Sequence, residues 1–413
     1  MRLQNLRILS FQVQELASTL FAPLWSSCSE QEGLLPQGRS FKAQVSADRV
    51  DAAEQSPNSS NIYSIERSAG SQAILGIMKR IASHFPLLGI LVVVLLAASL
   101  SGTSVEGLAT SRLKVGFYSN TACRNVETVV RAEVEKEYRK NPSIVALLLR
   151  MYFHDCFADG KCDASLLIKK NTGFGFIPTE LDSGSNEGIR GLDFIDYLKR
   201  TVVLACDRKG DIVSCADIIA LATRDAVALA SRRAPYELKT GRLDGTESLM
   251  TNADTLPSPG SPISAIVARF EKAGFSPGET VILSGAHTVG EARCKFFSGR
   301  LSEPDPSLNT TTLASLKKIC QAGGEKRAFL DQGPGSAFKV DKSYFVMLTQ
   351  HKGVLQSDQD LLTDPQTKDF VQPLADGSED NFATQFEEAL KKMGNLGSFG
   401  ASGNIRKMCS VLN

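Results

Sequence analysis

The chain has 413 residues, with 46 Lys and Arg against 45 Asp and Glu, and its formal charge of +1 argues against nucleic-acid binding as its main function. A composition of 42% hydrophobic and 22% charged residues is that of a globular protein and excludes general disorder. Nine cysteines, an odd number, require one that is unpaired or lies outside the mature protein.

Residues 1–77 are weakly periodic, carry no coherent motif, and read as an upstream extension that is disordered or absent from the mature protein. Acidic Glu15, Glu30, Asp48 and Asp51 count against a transit peptide. Met78 stands directly before Lys79 and Arg80, where an initiator would stand, and residues 85–100 read FPLLGILVVVLLAASL without a charge. Small residues follow, up to Gly107 and Ala109. Positive, then apolar, then small is the order of a secretory signal peptide, which we assign to 78–107. A retained membrane anchor is the rival reading, since the uncharged run is just long enough to span a bilayer.

The remainder, 108–413, is long enough for one large domain or two lobes around a shared site. Cleavage also removes Cys28, leaving Cys123, Cys156, Cys162, Cys206, Cys215, Cys294, Cys320 and Cys409. An even set behind a secretory signal reads as four disulfides, with 105 connectivities open to sequence arithmetic. Zinc is disfavoured, because no CxxC pair occurs and this part holds only His154, His287 and His351.

Apolar residues at three- and four-residue spacing predict helices over 125–139, 143–157, 192–206, 216–230, 263–273, 310–320, 344–351 and 382–393. Ser214 is a candidate N-cap with Asp217 three residues on. Pro- and Gly-rich connections lie at 256–262 and 333–335, and neither an alternating strand run nor an internal repeat is present. The fold class is mainly α.

Arg150 and His154 are four apart on the 143–157 helix and share a face. A fixed positive charge there suits a neutral imidazole acting as a base. Far along the chain come LSGAHTVG, with His287, and then Asp358. A carboxylate on the second ring nitrogen makes imidazole a strong metal ligand. A Ser284–His287–Asp358 hydrolase is the alternative chemistry, but no GxSxG-type elbow surrounds Ser284.

At these residues the chain resembles the secreted plant-type (class III) haem peroxidases. The resemblance runs from about 113 to 413, through FYSNTAC, LRMYFHDCFADGKCDASLLI, VSCADIIALATRDAV, LPSPG, LSGAHTVGEARC, LNTTTL, GVLQSDQDLL and GNIRKMC in that order. It implies a helical fold with distal and proximal lobes, haem b between them, and four disulfides: Cys123–Cys206, Cys156–Cys162, Cys215–Cys409 and Cys294–Cys320. His287 would be the axial ligand of the haem iron and Asp358 the acceptor of its other N–H. His154 would take a proton from hydrogen peroxide and return it to the departing oxygen, while Arg150 stabilises the developing charge. Asn186 would orient His154, Glu180 would belong to the same network, Phe153 would keep donors off the oxidising centre, and Pro257 would contact small phenolic donors.

Two calcium ions are also implied. The distal one would use Asp155, Asp163 and Ser165 with carbonyls at Ala158 and Gly160. The proximal one would use Thr288, Asp331, Ser336 and Asp341 with the Lys339 carbonyl. Asn309 opens a glycosylation sequon. The chain departs from the pattern in an extra residue near Lys161, a longer 331–341 loop, and Leu330 where an aromatic ring often packs beside the proximal His. The expected protein is an extracellular or cell-wall monomer, with a vacuolar location as the alternative, acting on hydrogen peroxide and small phenols without lasting membrane association. A wall-binding relative with weak turnover and a cytosolic ascorbate-type enzyme are the rivals. The second is disfavoured by the signal sequence and the cysteines.

Overall fold

The computed structural model describes residues 112–169, 177–302, 305–321, 323–397 and 402–413. The extension and the signal segment assigned to 1–77 and 78–107 lie outside them.

Two helices open the fold, α1 (Val126–Lys140) and α2 (Ile144–Phe157). They are followed by α3 (Leu192–Ala205) and α4 (Cys215–Ser231). Helix α4 packs on α1, α2 and α3, and nearly every one of its residues is buried. Its sequence explains the position: CADIIALATRDAVALA has no polar face of any width, so it is stable only when surrounded. Its alanines also let three neighbours approach closely. The Thr223 hydroxyl donates to the α4 carbonyl of Ile219 at 2.8 Å and reaches the α2 carbonyl of Leu148 at 3.2 Å.

The predicted Ser214 cap is present, its hydroxyl accepting from the Asp217 N–H at 3.1 Å. The reciprocal half of a capping box is not. The Asp217 carboxylate instead accepts from the Tyr118 hydroxyl (2.6 Å), the Gly241 N–H (2.7 Å) and Arg242 Nη1 (2.7 Å). An Asp side chain is one methylene shorter than Glu, and here a buried guanidinium claims it.

The second half contains α5 (Ile263–Lys272), α6 (Pro277–Ser284), α7 (Thr310–Cys320), α8 (Ser343–Thr349), α9 (Lys368–Asp376) and α10 (Glu379–Met393). Helices α6 and α9 were not among the predicted ones. The first carries a complete capping box from Ser276 and Glu279 with Pro277 at its first position, a start signal that its eight-residue length hides from periodicity. The second carries Pro373 in its interior. Helix α8 stops at Thr349, short of the predicted 351, because His351 turns the chain with a φ of 58°. Helix α10 starts three residues early under the cap of Ser378.

Strands β1 (Glu291–Arg293) and β2 (Arg327–Phe329) form a short antiparallel ribbon with Arg293 opposite Arg327. Ala292 and Ala328 pack into a satellite core with Leu316 and Leu355, separate from the main core around α2, α4 and α10. No helix among the described residues is long and apolar enough to cross a membrane.

Candidate active site

Helix α2 turns one stripe toward a cavity of about 460 Å³: Ala146, Leu147, Arg150, Phe153 and His154, spaced at three and four residues. Phe153 stacks on Phe157 and Phe270, with ring centroids 4.8 and 5.9 Å away. His154 is buried, and its Nδ1–H donates to Asn186 Oδ1 at 2.6 Å. The direction of that bond follows from the next one. Asn186 Nδ2 donates to the Glu180 carbonyl at 2.7 Å, which turns Oδ1 toward the imidazole. The proton therefore sits on Nδ1, and Nε2 keeps its lone pair on the side of Arg150, whose Nε lies 3.3 Å away. Burial, then the Arg150 charge, push the His154 pKa down to about 3, against the pull of Asn186. It is a neutral base at any ordinary pH.

Arg150 is itself latched, its Nη2 donating to the carbonyls of Ser185 (3.3 Å) and Glu187 (3.2 Å). Glu180 joins the network through its backbone carbonyl, whereas the resemblance assigns that place to its carboxylate. Both carboxylate oxygens are buried without a hydrogen-bond partner, and burial pushes the pKa up to about 7.

The opposite wall is built by α6 and the 3-10 turn Gly285–Thr288 that follows it. A Cβ on Gly285 would lie 2.7 Å from the Phe382 ring and 2.9 Å from that of Phe345, so only glycine lets this turn seat against them. His287 is thereby presented to the cavity, where 39% of its side chain is open. Its Nδ1 pairs with Asp358 Oδ1 at 2.8 Å. Burial opposes protonation of His287, but the charge and hydrogen bond of Asp358 outweigh it and raise the pKa. Sequence reasoning missed a third member: the buried Tyr344 hydroxyl donates to the same Asp358 oxygen at 3.0 Å. Tyr344 lay hidden in the apolar periodicity of α8. Ser284 does not join His287. Its hydroxyl donates back to the Thr280 carbonyl at 2.9 Å, which removes the hydrolase arrangement.

His154 and His287 thus face one cavity, which Arg150, Phe153, Pro257 and Leu330 also line. The residues present fit a prosthetic group whose metal the His287 imidazole would hold.

Around the distal loop, Asp155 is buried with both carboxylate oxygens unpartnered, and burial followed by Asp163 and Glu180 drives its pKa well above the usual carboxylate range. A buried carboxyl in that state is either protonated or paired with a cation. Asp163 Oδ1 accepts from the Ser165 N–H at 3.0 Å. Ala158 is different: its carbonyl already accepts from the Arg269 guanidinium and the Thr255 hydroxyl, so a cation there would have to share an oxygen with a positive group. Gly160 lies on the same loop at a φ of 78°. Lys161 points outward, 59% exposed and paired with Asp159 at 3.0 Å.

On the proximal side the oxygens do converge. Thr288 Oγ1 lies 3.4 Å from Asp331, 3.2 Å from the Lys339 carbonyl and 3.2 Å from Asp341, and Ser336 Oγ lies 2.7 Å from Asp331. The longer loop does not carry Asp331 away. No group of three or more His, Cys, Asp or Glu placed to hold a metal ion occurs among the described residues.

The four cysteine pairs are those the resemblance implies: Cys123–Cys206, Cys156–Cys162, Cys215–Cys409 and Cys294–Cys320. Asn309 caps α7, its Oδ1 accepting from Thr311 and Thr312 N–H groups, which leaves Nδ2 outside the cap.

A cavity between two oriented imidazoles, one beside an arginine and one on a carboxylate, defines a peroxidase-type haem site. A family model described as Peroxidase matches residues 130–377. Peroxidase 71 of Arabidopsis thaliana is 38% identical over 322 residues, covering 75% of this chain and 94% of the relative. Peroxidase 57 of the same plant is 40% identical over 314 residues (74% and 94%). A peroxidase of Armoracia rusticana is 37% identical over 316 residues (73% and 92%). The chain belongs to the plant peroxidase family. Its activity is that of a haem peroxidase.

Proposed function

We propose that this protein is a secreted haem b peroxidase, with two bound calcium ions, that reduces hydrogen peroxide and oxidises small phenolic donors one electron at a time. The observation that carries the reading is the single cavity onto which both the His154–Asn186 pair and the His287–Asp358 pair open. Haem b, its iron held by His287, would supply the redox capacity, two oxidising equivalents from peroxide spent singly on two donors. Over the cycle one hydrogen peroxide and two phenols give two waters and two phenoxyl radicals.

The protein's part is acid–base work and orientation. His154 Nε2, held lone-pair-outward by Asn186, receives the proton from one peroxide oxygen and delivers it to the other as it leaves. Arg150, fixed by the carbonyls of Ser185 and Glu187, stabilises negative charge on the departing oxygen. His287 would hold the iron, and Asp358 makes that imidazole electron-rich. Phe153 closes the space over the reacting oxygen, and donors approach at the side bearing Pro257.

Asp155, Asp163 and Ser165 with the Gly160 carbonyl would hold one calcium, and the cluster around Thr288 the other. The Ala158 carbonyl would belong to the distal set, sharing its oxygen with Arg269 and Thr255. Secretion is supported by the order of residues 78–107 and by eight cysteines joined in pairs, and the wall or extracellular space is the expected place of action. We also assign a monomeric state and a glycan at Asn309. No observation favours the weak wall-binding alternative. The test is a Soret band together with peroxide-dependent guaiacol oxidation by the purified protein. A Soret band without turnover would return the choice to that alternative.

A further inference from the structure

The β1–β2 ribbon sets two arginines directly opposite each other, Arg293 against Arg327. Ala292 and Ala328 pack into the satellite core, so the pleat sends both guanidinium groups to the other face, where they line the cavity. Like charges in directly opposed positions destabilise a ribbon. Arg293 is compensated, by Glu187 at 3.1 Å and Glu325 at 3.0 Å. One of its nitrogens, Nη2, is nevertheless buried without a partner, beside Gly188, where a Cβ would come within 2.5 Å of it. Arg327 is half-buried, lines the same cavity, and has no ion pair among the described residues. Neither does the exposed Arg190 beside them. The accumulated charge reaches Arg150, whose pKa falls to about 10 through burial first and then Arg293, Arg190 and Arg327.

Aromatic rings flank these cations. Phe296, Phe329 and Phe338 are large apolar side chains left 37%, 37% and 39% exposed, and all three line the cavity. Phe329 and Phe338 meet edge to face at 5.6 Å. Phe329 is two residues from Arg327 on β2 and therefore on the same face of the ribbon. Uncompensated guanidinium beside open rings is a surface for a molecule that is both aromatic and anionic.

We propose that Arg327, with Phe329 and Phe338, forms a subsite for the carboxylate end of an aromatic acid donor, which makes acidic phenols preferred over neutral ones. This rests on the peroxidase reading above and names a substrate class within it. Two carboxylate sources compete for such a site, the donor and the prosthetic group itself, and the inference commits to the donor.

The test compares 4-hydroxycinnamate with its methyl ester, which keeps ring and phenol and loses the charge, in the haem-loaded protein at pH 6. Arg327→Gln should raise KM for the acid about fivefold, the scale of one screened charge contact. KM for the ester and kcat for both should stay unchanged, and added salt should erase the difference between native and variant. Arg327→Glu should raise the acid's KM further and also leave the ester alone. Acid and ester moving together, or neither moving, would overturn the subsite. So would faster haem loss to apomyoglobin from the Gln variant, since that assigns Arg327 to the prosthetic group. Native protein that turns over neither compound would instead count against the peroxidase reading.

Discussion

Asn186 is the most informative position to perturb, because it sets both the tautomer and the basicity of His154. In the native protein His154 has a pKa of about 3, so its lone pair is available throughout the working range. Asn186→Asp places a carboxylate where the amide oxygen now accepts at 2.6 Å. An adjacent opposite charge raises a pKa by roughly one to three units, which brings His154 to around 4–6. The base form is then lost as pH falls through that raised value. Activity should be normal at pH 8 and fall about tenfold per unit below the new pKa. Asn186→Val acts differently. It removes the acceptor and leaves a buried N–H unsatisfied, at a cost of about 1–3 kcal/mol, so the ring rotates or changes tautomer. The predicted result is a five- to hundredfold slower peroxide step with little change in pH profile.

The assay is stopped-flow mixing with hydrogen peroxide, following the Soret change from pH 4 to 8. An acid limb in Asn186→Asp identical to native, with haem bound normally, would refute the assignment of His154 as the base. Equal losses in Asn186→Val and His154→Ala would refute the division between orienting and transferring the proton.

His154→Ala should slow the peroxide step by at least about 10²–10⁴ while leaving haem affinity intact, measured by the same stopped-flow trace and a haem titration. His287→Ala should abolish the five-coordinate ferric spectrum, and a normal Soret band with normal turnover would contradict its role as axial ligand. Cys215→Ser with Cys409→Ser opens a bridge spanning 194 residues, which the entropic model values at about 5 kcal/mol, readable as a lower urea midpoint. Deleting Lys161 should change EDTA sensitivity little, because its side chain is largely exposed and pairs with Asp159. A marked gain in EDTA resistance of haem retention would show that the native loop compromises the distal site.

Much of this was legible because the chemistry-bearing residues sit on strongly periodic helices or in short, distinctive strings. The four-residue spacing of Arg150 and His154 fixes their shared face whatever the rest of the fold does. The remaining site residues came from the resemblance, since nothing local joins His287 to Asp358 across 71 positions. What stayed hidden was hidden for physical reasons. Helix α6, eight residues and little more than two turns, is too short to display a period. Tyr344 reads as one more apolar residue of α8, because a phenol's polarity shows only when its hydroxyl meets a partner. The opposed Arg293 and Arg327 require a ribbon register that three-residue strands cannot announce.

The Ala158 carbonyl shows how protein groups can engage a backbone oxygen for which the resemblance implies a cation. Identity at Asp155, Asp163 and Ser165 constrains carboxylates and hydroxyls, but a carbonyl's engagement depends on whatever comes near it. Here Arg269, on the last turn of α5, lies over the Phe157 ring at 4.6 Å and donates to the carbonyls of Phe157 and Ala158, with Thr255 joining it. The loop is tied elsewhere too, by Cys156–Cys162, by the Gly245 N–H on the Asp163 carbonyl at 2.7 Å, and by Arg406 on the carbonyl of Ala164. Arg406 in turn is held by Asp244, whose carboxylate also accepts from the N–H of Ala216 at the start of α4. The segment that follows His154 is therefore anchored by protein groups on both sides of the carboxylate pair. A cation at Asp155 and Asp163 would neutralise buried charge within a loop whose path is already set, and the register of the catalytic base would not depend on the ion alone.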